Sequence, residues 1–213
     1  LDTTIVKLNK EALWSGLFTS NKFKSAPVEI CLSKIDKSIS QPKVLMINAG
    51  NANAATGLQG KKDTEKLIEE ISSVLKISKD NILPFSTGVV GELLNINKLS
   101  KAFKKCADKL GNNTWQDFAK AIMTTDTCHK VVKKQFLLGK QKINVIGIAK
   151  GVGMIEPNMA TTLSFIFTDL KISKMQLRKL HKDICDQTFN AISIDGDQSP
   201  SDSSIFATTS EKN

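Results

Sequence analysis

The spacing of apolar residues changes character repeatedly along this chain of 213 residues, and that alternation restricts the fold more than any other feature of the sequence. Residues 3–9 and 44–48 read as short strands. Over 61–76 the apolar positions Leu67, Ile68, Ile71, Val74 and Leu75 recur at helical spacing with charges between them, which predicts an amphipathic helix. Residues 98–110 and 115–123 predict two more helices, parted by the breaker run Gly111-Asn112-Asn113. The pattern then turns extended: 131–138 and 143–149, joined through Gly139-Lys140, predict a hairpin, and the β-branched and aromatic residues of 161–168 predict a further strand. A last helix is expected over 174–189, with Ser173 as its N-cap and Leu177, Leu180 and Ile184 on one face. Strands and helices mixed along the whole length imply an α/β fold (mixed α+β), helices layered over sheets, and exclude a helical bundle.

The formal charge of +9 raises the question of a nucleic-acid partner. Residues 1–160 carry 24 basic and 14 acidic side chains and residues 161–213 carry 6 and 7, so the excess sits in the first part, scattered as singles and pairs such as Lys61-Lys62 and Lys133-Lys134. Only Arg178 among the 30 basic residues is an arginine, and tyrosine is absent. Bidentate guanidinium contacts and aromatic stacking platforms are therefore scarce, which argues against nucleic acid. No apolar run approaches the roughly 18 residues that cross a bilayer, so no membrane partner is expected. Cys31, Cys106, Cys128 and Cys185 are widely spaced without a CxxC pair, consistent with reduced thiols and with neither a zinc site nor a disulfide framework. Asn112-Asn113-Thr114 is a formal glycosylation acceptor, without consequence inside a cell.

Several familiar motifs fail on spacing. Gly57-Leu58-Gln59-Gly60-Lys61-Lys62 has the wrong glycine interval for a phosphate loop and no hydroxyl after the lysine, and Gly151-Val152-Gly153 lacks the third glycine of a dinucleotide fingerprint. His129 and His181 have no ligand set beside them, and His181 is expected on a helix surface. Three small-residue segments remain. In 48–57, directly after an apolar strand, asparagine amides favour fixing the backbone over meeting a ligand. In 85–92, Thr87-Gly88 at a strand end can aim a hydroxyl and an N–H at one point, as an oxyanion hole requires; a capped strand-to-helix turn is an equal reading. In 147–163, the lone Lys150 sits among glycines at a strand end and a loop delivers Thr161 to the next strand, more special residues than a plain hairpin loop needs.

Taken together, five patterns in order resemble the ornithine acetyltransferase family, the glutamate N-acetyltransferases of arginine biosynthesis: 48–57, Ser86 to Glu92, Thr124-Thr125-Asp126-Thr127, 150–163 and Asp195-Gly196-Asp197. The resemblance implies a fold of the N-terminal-nucleophile-like kind. It also implies self-cleavage between Ala160 and Thr161, which would make residues 1–160 an alpha chain lacking its start and 161–213 the beginning of a beta chain. Thr161, freed as an N-terminal residue at the start of a central strand, would be the nucleophile, its own α-amine within reach as general base. That amine, with a pKa of about 7.7–8.0, suits neutral pH better than a lysine. By the same resemblance Thr87 and Gly88 form the oxyanion hole, and Thr127, Lys150 and Thr161 bind substrate. Acetyl would pass from N2-acetylornithine to Thr161 and then to glutamate. No metal or organic cofactor is implied; some members also take acetyl-CoA as donor, which stays open for this chain. The family's two larger and two smaller chains form a heterotetramer, cytoplasmic in bacteria and mitochondrial in fungi.

Departures from the pattern are modest: Ala55 stands where cysteine is frequent, Thr162 follows the nucleophile in place of methionine, and Gln198 and Pro200 alter the segment after Asp197. Family chains are longer, and an acidic substrate-binding residue and a later Asn/Thr pair have no counterpart, so the sequence reads as a fragment. Two rival readings remain: a related N-terminal-nucleophile aminopeptidase or amidohydrolase, and a non-catalytic module that binds an amino acid.

Overall fold

A computed structural model describes residues 2–35, 43–156 and 162–212. Among them are eight strands and five α-helices: β1 (Thr3–Lys7), β2 (Leu13–Phe18), α1 (Ala26–Ile35), β3 (Val44–Asn51), α2 (Gly57–Leu75), β4 (Ile82–Val89), α3 (Ile96–Asp108), α4 (Trp115–Ala121), β5 (Lys130–Leu138), β6 (Gln141–Lys150), β7 (Leu163–Leu170), α5 (Lys174–Gln187) and β8 (Ser203–Lys212). They form a three-stranded sheet, β1-β3-β4, and a five-stranded sheet, β2-β8-β7-β6-β5. The parallel pairs β3/β4 and β7/β8 need long crossovers, and α2 and α5 lie within those connections.

Side-chain alternation builds the layers. Along β3, Leu45 and Ile47 join a core cluster with Phe85 of β4, Phe165 of β7 and Ile205 of β8, so this cluster lies between the two sheets. Val44 and Met46 point the other way, into a second cluster with Leu67 and Ile71 of α2 and Leu99 and Phe103 of α3. The continuous apolar run of β3 is therefore the mark of a strand buried on both faces. Phe85 and Phe165 meet edge to face with centroids 5.4 Å apart, and Phe118 of α4 lies 5.1 Å from Phe165. Each such ring, fully buried, contributes about 1.5–3 kcal/mol of transfer free energy to the junction. Helix α5 covers the outer face of the larger sheet, completing a helix–sheet–sheet–helix stack.

Local signals explain most element ends. Asn95 accepts from the Lys98 N–H at 3.1 Å at the start of α3, and Thr114 with Asp117 forms a capping box on α4. Ser173 caps α5 as predicted, with Gln176 closing a second box. The hairpin of β5 and β6 turns at Gly139, whose φ of 61° lies in the left-handed region.

The elements expected from the sequence do not include β2, α1 or β8, and of β4 only the end at Thr87-Gly88 is expected. β8 is paired to β2 from Ser203 to Thr208 on one side and to β7 on the other, where the pairing reaches Lys212. Every position from Ser203 to Thr208 is buried, but only Ile205, Phe206 and Ala207 are apolar and they stand between hydroxyl residues, so no apolar period announces the strand. His181 also departs from expectation. It is fully buried, and the ridge of α5 against the sheet is Leu177, His181 and Cys185, while Leu180 and Ile184 line an open apolar groove beside β5. The expected face was drawn from hydrophobicity alone and so rotated around the helix from the true one.

Candidate active site

The polar segments identified in the sequence converge where the two sheets meet. Strands β3 and β4 run parallel and end side by side, Gly50 opposite Gly88. Gly88 has φ 131°, and a Cβ there would stand 2.3 Å from the Gly50 carbonyl carbon. Only glycine lets the backbones approach this closely. Asparagines of the 48–57 segment hold these ends. Asn48 accepts from the Ser86 hydroxyl at 2.6 Å and donates to the Asn51 carbonyl at 2.9 Å. Asn53, buried and left-handed at φ 48°, donates to the Gly60 carbonyl and the Thr64 hydroxyl. Every one of these amides is engaged with the protein itself, so the segment is a scaffold that presents Thr87 and Gly88.

Opposite these ends lies the end of β6. Lys150 pairs with Leu163 at the start of β7, is 4% exposed, and donates from Nζ to the Thr124 hydroxyl at 3.3 Å. Burial pulls its pKa below the usual lysine value, while Asp126 and Asp202 act to raise it. Burial works against the charge on Asp126 as well, but the N–H groups of Gly151 and Thr124 and the Lys130 ammonium hold its pKa below the usual range. Asp126 is thus a fixed anion that ties the loop after β6 to the bend at Thr124. Asp202 accepts from the Thr162 N–H at 3.0 Å. Its Oδ2 is buried with no hydrogen-bond partner among the described residues, and burial pushes its pKa up to about 8.

Thr87, Gly88 and Lys150 line one cleft of about 590 Å³, with Thr124, Thr125, Met154 and Asp195. A larger cleft of about 730 Å³, between β1 and α4, is lined by none of the predicted site residues. Thr127 is exposed and is not among the lining of the 590 Å³ cleft; the threonine of its motif beside Lys150 is Thr124. Ala160 and Thr161, the predicted cleavage pair, lie outside the described residues. Sequence reasoning quoted Asp126 and Asp195 only as parts of motifs and passed over Asp202. The spacing of carboxylates around Gly196 and Ser199-Pro200-Ser201 was the available signal. What the arrangement offers chemically is a hydroxyl and backbone at a strand end on one wall and a desolvated ammonium on the other, suited to an anionic or strongly polarised small molecule.

The ArgJ family matches the sequence over residues 1–213. The arginine biosynthesis bifunctional protein ArgJ of Colwellia psychrerythraea is 39% identical over 100% of this chain and 52% of its own length. The mitochondrial ArgJ of Candida tropicalis is 44% identical over 96% of this chain and 52% of its own. The chain thus spans about half the length of the curated relatives it matches. Among solved structures, ArgJ of Bacillus halodurans superposes with a TM-score of 0.60 at 26% identity, covering 75% of this chain and 91% of that one. An ornithine acetyltransferase of Mycobacterium tuberculosis, crystallised with ornithine, gives 0.56 at 22% identity over 76% and 100% and shares the fold. With a match along its whole sequence, on a mixed α/β architecture common to solved relatives, this chain belongs to the ArgJ family.

Proposed function

We propose that the full-length gene product is a self-cleaving acetyltransferase of arginine biosynthesis that moves acetyl from N2-acetylornithine to glutamate. The observation that carries this reading is the cleft itself. Thr87 and Gly88 from the smaller sheet face the same space as the buried Lys150 from the larger one, and Lys150 pairs with Leu163, two residues beyond Thr161.

Cleavage begins as the Thr161 hydroxyl adds to the Ala160 carbonyl carbon. The new C–O bond forms, the C–N bond breaks, and the hydroxyl proton passes to the departing nitrogen. Water then opens the ester, leaving a carboxylate on Ala160 and a free amine and hydroxyl on Thr161. In turnover the amine accepts the hydroxyl proton while oxygen attacks the acetyl carbonyl of acetylornithine. The amide C–N bond breaks, and ornithine leaves with that proton on its amine. Glutamate's free amine then takes the acetyl group from oxygen, regenerating the hydroxyl. The Thr87 hydroxyl and the Gly88 backbone steady the tetrahedral oxyanion of each step. Lys150 meets the carboxylate that donor and acceptor both carry, and Thr124, its hydrogen-bond partner, takes the substrate-side place assigned to Thr127 from sequence. No metal or organic cofactor enters this scheme. The two pieces assemble as a heterotetramer, and the compartment follows the source, cytoplasm for a bacterium and mitochondrion for a fungus.

The test is incubation of the full-length gene product with N2-acetylornithine and glutamate, following ornithine and N-acetylglutamate in equal amounts. Release of free acetate without N-acetylglutamate would instead mark a hydrolase, and binding without turnover a binding module. Acetyl-CoA in place of acetylornithine decides the second donor.

A further inference from the structure

Two aspartates from one short segment grip the chain on either side of residues 157–161. Upstream, Asp195 accepts from the Met154 N–H with one oxygen and from the Ile155 N–H at 2.7 Å with the other. The Ile194 N–H donates to the Ile155 carbonyl at 2.8 Å, and the Ser193 hydroxyl to the Glu156 carboxylate at 2.7 Å. Downstream, Asp202 accepts from the Thr162 N–H at 3.0 Å, and the Ser203 N–H donates to the Thr162 carbonyl at 3.0 Å. Met154 is held at φ 58°, a left-handed conformation unfavourable for its side chain, and Asp195 binds the amide of that very residue. Asp202 is 1% exposed, so its carboxyl is committed to this position without competition from water.

From these contacts we infer that Asp195 and Asp202 are positioning residues for self-cleavage, a two-sided clamp that fixes the backbone before and after the scissile segment. The inference rests on the proposed self-cleavage and deepens it. A hydroxyl attacking the carbonyl of the preceding residue needs both held at attack distance, and a segment anchored at both ends loses far less freedom in reaching that geometry than one anchored at one end. At 195 asparagine offers one acceptor oxygen where the carboxylate uses two, whereas glutamate keeps both; at 202 a single oxygen accepts from the Thr162 N–H, so asparagine keeps that contact and alanine removes it.

The experiment follows cleavage of newly made full-length protein on denaturing gels, in wild type, Asp195→Asn, Asp195→Glu, Asp202→Ala and Asp202→Asn. Asp195→Asn and Asp202→Ala are each expected to cleave at least tenfold more slowly, and Asp195→Glu and Asp202→Asn to keep most of the rate. Melting temperatures of the same substitutions placed on Thr161→Ala, which stays in one piece, should remain within a few degrees of Thr161→Ala alone. Either Asp195→Asn or Asp202→Ala cleaving at the wild-type rate overturns the clamp and leaves the proposed function standing; a wild type that never splits overturns both. Should Asp195→Asn or Asp202→Ala fail to fold, hydrogen exchange in Thr161→Ala decides. Protected amides at Ile155 and Thr162 support the clamp, and exchange at free-peptide rates at both overturns it.

Discussion

Replacing Lys150 with methionine keeps its length and apolar stem and removes its charge. A hydrogen bond to a charged group is worth about 1.5–3 kcal/mol, so kcat/KM for acetylornithine should fall roughly 10- to 100-fold. The loss should appear mainly in KM if Lys150 binds a carboxylate that both ground and transition states carry. An unchanged KM in steady-state assays would remove Lys150 from substrate binding. Gly88→Ala acts differently, through the backbone. Its Cβ would meet Gly50 at 2.3 Å at a φ of 131°. Strain of this kind costs of order 1–3 kcal/mol, and with the strand ends forced apart acetyl transfer should be lost. Gly50→Ala, equally left-handed at 98° but with open space around its Cβ, should lower the melting temperature while keeping more of the activity. Equal activity losses in the two variants would mean that the contact between strands is not what presents Thr87.

At the scale of elements, α5 is held by a buried polar chain where an apolar ridge would be usual. His181 Nδ1 lies 3.0 Å from the Ser15 hydroxyl of β2 and Nε2 lies 2.8 Å from the Ser204 hydroxyl of β8. Cys185 and the ring of Phe206 complete its surroundings. Burial depresses its pKa from 6.5 to about 4, so folded His181 stays neutral where the unfolded chain has already taken up a proton. Between those values the unfolded state binds more protons, and stability must fall as pH drops from about 6.5 to about 4. The drop amounts to at most about 3 kcal/mol at 1.36 kcal/mol per pKa unit. Urea unfolding at pH 7, 5.5 and 4.5 should reveal it, and His181→Leu should flatten the slope over that interval; an equally steep slope in the variant would assign the acid sensitivity elsewhere. The same histidine marks the limit of what periodicity can tell. Helices with a cap and a charged outer face, α3, α4 and α5, were legible, as were the hairpin and the doubly buried β3. Strands that bury hydroxyls, such as β8, were not, because serine and threonine satisfied by one another look like loop residues until their partners 40 positions away are known, as Ser164 and Ser204 are. The site divides likewise. Lys150, Thr87 and Gly88 stood out through their glycine-rich surroundings, whereas Asp202 stands among serines and acquires meaning only from the β7/β8 pairing that brings it to Thr162.

For the molecule as a whole, the consequence of cutting before Thr161 depends on sheet order more than on chain order. In the larger sheet β2, β6 and β5 belong to residues 1–160, and β8 and β7 to residues 161–213, so the order β2-β8-β7-β6-β5 places both strands of the second piece between strands of the first. Each border is a full ladder: β8 pairs with β2 from Ser203 to Thr208, and β7 pairs with β6 from Leu163 to Thr168. Phe165 and Ile205 of the second piece are buried among Phe85, Phe118 and Leu45 of the first. Separating the pieces would expose two strand edges and the core between the sheets, both costly in water. Cleavage should therefore leave one folded particle. Size exclusion of the processed full-length protein without denaturant should give a single peak containing both pieces, which denaturing gels then resolve into two bands. Ile205→Asp, which puts a charge into the shared core, should release the smaller piece or prevent its folding. Pieces of the wild type that part without denaturant would be incompatible with the interleaved sheet.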